Sequence, residues 1–92
     1  MKIVRVEGGW HIEADEGWVI ALLRSEVEVL AVSRLCELAL GGQLPEHFSI
    51  RHGGVAYTVT PLGGPGERLS LIVTGGGSTV TVETQFVMPP GG

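Results

Sequence analysis

SEVEVLAVSRLCELALGG, residues 25–42, is the one segment of this chain with a clean helical period. Ser25 followed by Glu28 is a Ser-x-x-Glu capping box, in which each side chain satisfies an orphan amide at a helix start. At 100° per residue from Glu26, the residues Glu26, Ser33, Arg34 and Glu37 fall on one arc, with Leu30 among them as a single exposed leucine. Val27, Ala31, Val32, Leu35, Cys36, Leu38 and Ala39 cover the rest of the wheel. Of these, Val27, Ala31, Leu35 and Leu38 are expected to lie on the sheet. Gly41-Gly42 supplies a residue free to adopt positive φ, which closes the helix. Carrying the helix back to Val19 scatters its polar residues around the wheel. The helix is therefore expected over 26–40, and Trp18–Arg24 is read as extended.

Working outward, every other segment reads as a short strand or a glycine turn. Upstream, Lys2–Glu7 is β-branched and short. Gly8-Gly9 is a two-residue hairpin signal, and Trp10, Ile12 and Ala14 alternate with His11 and Glu13. Asp15-Glu16-Gly17 is a second turn. Trp18–Leu23 is apolar throughout, either a strand covered on both faces or an early helical turn, and periodicity does not separate the two. Trp10 and Trp18 are expected to pair across a hairpin and close the core.

Downstream, Gln43–His47 is a loop around Pro45. Phe48, Ile50 and His52 share a face, and His52-Gly53-Gly54-Val55 reads as a hairpin turn. Val55, Tyr57 and Val59 point one way along the next strand. PLGGPG, residues 61–66, reads as a loop. Leu69, Leu71 and Val73 define another inward face before the turn Gly75-Gly76-Gly77. In Ser78–Met88, Val80, Val82, Phe86 and Met88 are expected inward, with Thr79, Thr81, Glu83 and Gln85 outward. The pattern implies an α+β domain: a mostly antiparallel sheet of five to seven strands with one amphipathic helix on one face. Residues 1–88 form that single domain, and 89–92 are expected to be a flexible C-terminal tail.

Composition narrows the function classes. Hydrophobic residues are 43% and charged residues 17%, which marks a chain that folds. The net charge is −4 and no basic stripe is present, which argues against nucleic acid as a partner. No apolar run reaches the ~18–20 residues of a membrane span. One cysteine and no internal disulfide make a reducing cytoplasm the expected compartment.

Chemistry-bearing groups are sparse. His47 and His52, five apart, would face opposite sides of one strand, and His11 has no second ligand nearby, so no metal or other cofactor is expected. Cys36 lies on the apolar helix arc and reads as a small hydrophobe with a raised pKa. No Ser, His and Asp relay is spaced for nucleophilic catalysis, so the chain is read as a non-enzyme. The glycine loops run into strands, whereas a phosphate cradle runs into a helix N-terminus. Glu13, Asp15 and Glu16 cluster at a turn, a candidate contact for a protein partner.

The chain ends on Met88-Pro89-Pro90-Gly91-Gly92. A Gly-Gly carboxylate carried on the last strand of a small α+β domain resembles the ubiquitin-like modifiers and the related sulfur carriers of molybdopterin and thiamine synthesis. Those proteins share the β-grasp fold, a hairpin, one helix and further strands, the last beside the first. Lys2–Glu7, Gly8-Gly9 and Trp10–Ala14 match the hairpin, Glu26–Leu40 the helix and Ser78–Met88 the final strand. Trp18–Arg24 and one further strand after the helix depart from the minimal pattern. The resemblance implies that a partner enzyme adenylates the Gly92 carboxylate, which passes to a thiolate, sulfide or amine. Gly91 and Gly92 would thread the activating site, because glycine accepts any backbone angle. Met88, Pro89 and Pro90 would be the spacer holding them clear of the sheet. The alternative is a small protein-binding module, like bacterial immunity, antitoxin or inhibitor proteins, acting through the acidic turn or an open sheet edge.

Overall fold

The computed structural model describes residues 1–64 and 66–87. The elements run β1 (Lys2–Val6), β2 (Gly9–Glu13), β3 (Val19–Leu23), α1 (Glu26–Leu40), β4 (Phe48–His52), β5 (Val55–Leu62), β6 (Arg68–Gly75) and β7 (Ser78–Val87). The fold is α+β and β-grasp-like in its layering. One helix packs against two antiparallel sheets, ordered β1-β2-β3 and β4-β5-β6-β7. β3 and β7 run alongside one another where the sheets meet. The Cα envelope is only 17 Å in its thinnest direction, room for one sheet layer and one helix. The resemblance placed the last strand beside the first. Among the described strands, β7 instead pairs with β6 and lies beside β3, while β1 is an outer edge.

The helix forms where its caps place it. Ser25 Oγ accepts from the Glu28 amide at 3.3 Å. The Glu28 carboxylate takes the Ser25 hydroxyl at 3.0 Å, a closure of the capping box through side chains alone. At the other end the Gln43 amide reaches Leu38 O and the Gly42 amide reaches Ala39 O, both at 3.1 Å. This is a Schellman closure with Gly42 at φ +70. Ala31, Val32, Leu35, Cys36 and Ala39 are buried, and Val27 and Val29 pack against them. Leu38, expected on the sheet, is only half-buried. The contact arc is centred on Leu35 and Cys36, and Leu38 falls at its margin.

Several turns sit one residue away from where the glycines suggest. The first hairpin turns through Glu7-Gly8, since Val6 pairs with Gly9. Gly9 belongs to β2, where a Cβ would collide with the Leu23 carbonyl of β3. Likewise Gly75 lies in β6 opposite Ser78, leaving Gly76-Gly77 as the turn. A Cβ at Gly75 would come within 2.7 Å of the Ala56 carbonyl. In both glycine runs one residue answers to packing and not to the turn. Pro61 and Leu62, expected in a loop, are the end of β5. Pro61 pairs with Leu71 of β6 but lies beyond Val59, the last residue of β5 paired to β4. With a neighbour on one side only, the missing N–H costs no ladder bond there.

Two bulges shape the strands that meet at the seam. Ile12 faces Ala21 but Glu13 faces Val19, so Ile20 is an extra residue in β3. The kink lets consecutive residues Ile20 and Ala21 both be buried. In β7, Glu83 faces Ser70 and Val87 faces Arg68, so four steps on β7 answer two on β6. Thr84 is buried in that bulge; its hydroxyl donates to Leu69 O at 2.7 Å and accepts from the Phe86 amide at 3.1 Å. Val80, expected inward, is 43% exposed. It borders a recess of about 180 Å³ beside Val27 and Tyr57 that the first helical turn does not fill.

Candidate functional site

Among the described residues a cleft of about 590 Å³ opens at one end of the seam. Val19 and Ile20 of β3 line one side, and Gln85, Phe86 and Val87 of β7 line the other. Leu40, the last residue of α1, and Trp18 complete its apolar wall, and Asp15 and Glu16 stand on its rim. Trp18 is 72% exposed and Leu40 62%. Large apolar side chains left open together mark a contact surface, whereas scattered single ones do not.

Trp18 corrects the tryptophan expectation. Trp10 faces Leu23, and Trp18 O accepts from the Ala14 amide at 2.8 Å. The two indoles therefore sit at opposite ends of the β2–β3 hairpin and do not pair. Trp10 packs against the core with Arg5 over its ring at 4.8 Å. Trp18 lies past the start of β3, where the core has ended. The apolar run it opens is likewise not covered on both faces, since Val19 and Leu22 are exposed.

The three turn acids do not form one patch. Glu13 is largely buried, 3.3 Å from His11 Nδ1 and 3.9 Å from Lys2 Nζ. Asp15 pairs with the Met1 ammonium. That hydrogen bond, with the ammonium's charge, lowers the Asp15 pKa below the usual carboxylate range. Glu16 is exposed and has no ion-pair partner among the described residues. Asp15 and Glu16 thus share the cleft rim, while Glu13 is turned toward Lys2 and His11.

The remaining groups are placed singly. His52 Nε2 lies 3.3 Å from Glu26 Oε2, joining β4 to the start of the helix. Among the described residues no cluster of three or more His, Cys, Asp and Glu is present. Cys36 is buried, and burial pushes its thiol up to about 11. No described helix is long and apolar enough to cross a membrane. Met88, Pro89, Pro90, Gly91 and Gly92 lie outside the described residues, as does Pro65. Sequence reasoning missed Leu40, Phe86 and Val87 as site residues. Phe86 reads as ordinary core by period, Val87 falls on the outward face of its strand and Leu40 beside Ser33 on the polar arc of the helix, and only the meeting of β3, β7 and the helix end brings them together. Comparison with known protein families, characterised proteins and solved structures gave no match.

Proposed function

We propose that this chain is a non-enzymatic protein-binding module whose contact surface is the cleft between β3 and β7. The observation that carries this reading is Trp18, an exposed indole at the mouth of an apolar cleft with acids on its rim. Tryptophan, with tyrosine and arginine, is enriched among the residues that anchor protein contacts. A photo-crosslinking residue placed at Trp18, and separately at Thr74 on the outer face of β6, tests it in cells. A discrete heteromeric adduct from position 18 and none from 74 is expected. No discrete adduct, or the same adducts from both positions, would sink the reading.

A second reading is C-terminal activation. It is favoured by the α+β layering together with the order of elements, in which the last strand is followed directly by Met88-Pro89-Pro90-Gly91-Gly92. Here an adenylating partner forms the Gly92 acyl-adenylate and releases pyrophosphate, and a nucleophile of a target then displaces AMP. The intact mass after incubation with ATP and a candidate adenylating enzyme tests it. Deleting Gly92 is expected to abolish the adduct with the melting temperature nearly unchanged. An adduct that survives the deletion removes this reading and leaves the first untouched.

A further inference from the structure

The β4–β5 hairpin leaves one strand edge bare beside the helix. Its turn, Gly53-Gly54, has φ +58 and +77. This is the type I′ geometry, in which the flanking residues, His52 and Val55, exchange backbone hydrogen bonds. Bonded and non-bonded pairs alternate along an antiparallel ladder. Ile50 and Phe48 therefore also bond to β5, and Ser49 and Arg51 direct their N–H and C=O groups to the far side. Among the described residues no strand lies on that side, since β4 has β5 as its one neighbour in the sheet and α1 over its inner face. No loop or turn backbone bonds Ser49 or Arg51 there either. An open edge of this kind is a template for another strand. A groove of about 320 Å³ opens along it, at the far edge of the four-stranded sheet from β7 and the cleft. Ser49, Ile50 and Arg51 line the groove from β4. Leu30, Ser33, Arg34 and Glu37 line it from α1, at the i, i+3, i+4, i+7 spacing of one helix stripe.

We propose that the β4 edge is a second protein-contact surface, separate from the cleft, and that it takes an extended acidic segment of a partner protein by strand addition. The segment's backbone bonds to Ser49 and Arg51, at a strand spacing of about 4.8 Å, which places it in the groove without displacing a described element. Its alternate side chains face the helix. Apolar ones there cover Leu30, which is 40% exposed on its stripe, and the half-buried Ile50. The side chains between them lie on the open face with Ser49 and Arg51. Charge selects what stands there. Arg34 and Glu37, 3.0 Å apart, offset each other. Arg51 has no ion-pair partner among the described residues. An aspartate or glutamate opposite Arg51 completes a cross-strand pair. A second copy of this chain is a poorer occupant, because its β4, FSIRH, contains no acid and brings another arginine to the same edge.

The probe is a short synthetic peptide alternating valine with threonine and glutamate, titrated into the full chain and followed by amide NMR. Saturable binding is expected, with shifts at Leu30, Ser33 and Arg34 of the helix and at Ser49 and Arg51 of β4. Amide exchange should slow on binding at Ser49 and Arg51 and stay as it was at Ile50, whose N–H already bonds to β5. N-methylating the alternate peptide amides that face β4 is expected to weaken binding about tenfold or more, and N-methylating the other set to leave it unchanged. Arg51→Glu should weaken binding of this peptide and strengthen that of its lysine-for-glutamate counterpart. Leu30→Ala, at an exposed position, should weaken both without lowering the melting temperature. Equal binding by the two N-methylated peptides overturns strand addition, as does the absence of saturable binding at millimolar peptide. Shifts confined to residues 18–20 and 85–87 overturn it in favour of the cleft, and a free chain that self-associates with Ser49 and Arg51 already protected overturns it in favour of a second copy. The crosslinking result at position 18 decides the cleft reading separately.

Discussion

Leu35 and Cys36 show how a single position carries the core. Both are fully buried on the helix face that meets the strands. Leu35→Ala is expected to cost about 2–5 kcal/mol in denaturant unfolding, the transfer loss plus the cavity left behind. A loss under about half a kcal/mol would mean that the site collapses freely. The Cys36 thiol is raised from an ordinary value of 9.0 to about 11 by burial. A folded pKa above the unfolded one gives stability that is whole below pH 9 and is lost as pH rises through 11. Wild type should therefore lose stability across that window relative to Cys36→Ala, and parallel pH profiles would refute the assignment. A thiol reagent should label Cys36 slowly in the native protein and fast in denaturant. These two residues were legible in the sequence because a helical period assigns a face directly. Trp18 was not, because burial of an indole depends on where the opposite strand ends.

At the scale of elements, the helix answers to its caps and the strands to their neighbours. Ser25→Ala removes the acceptor for the Glu28 amide and is expected to cost about 1 kcal/mol, read from the unfolding midpoint. An unchanged midpoint would show that the first turn holds without its cap. Thr84 is buried in the bulge of β7, and its hydroxyl serves both Leu69 O and the Phe86 amide. Thr84→Val keeps the shape and leaves both groups unpaired, with an expected cost of about 1–3 kcal/mol. Thr84→Ser should recover part of that loss, and a neutral valine variant would mean that water satisfies the bulge. The alternation of Ser78–Met88 predicted a strand but not its bulge. A threonine on the inner face fits a strand equally well until the register with β6 demands extra residues.

For the whole molecule, strand neighbours set the order of protection. β2, β5 and β6 each have a ladder on both sides, whereas β1, β3, β4 and β7 have one. Amide hydrogen exchange should be slowest in β2, β5 and β6. If β3 and β7 are protected as uniformly as β2, the seam is laddered. The sequence by itself determined the helix with its caps, a sheet of five to seven strands, the inward residues of β5 and β6, and the α+β class. Those depend on periods and caps, which are local in the chain. Only the tertiary structure decided that the strands divide into two sheets, that β7 lies beside β3 and not β1, and that Glu13 parts from Asp15 and Glu16. It also decided that Trp18, Leu40 and Val87 share one cleft. Each of these depends on register and edge contact between segments far apart in sequence, and a one-residue bulge, which leaves almost no mark on the local pattern, changes the outcome.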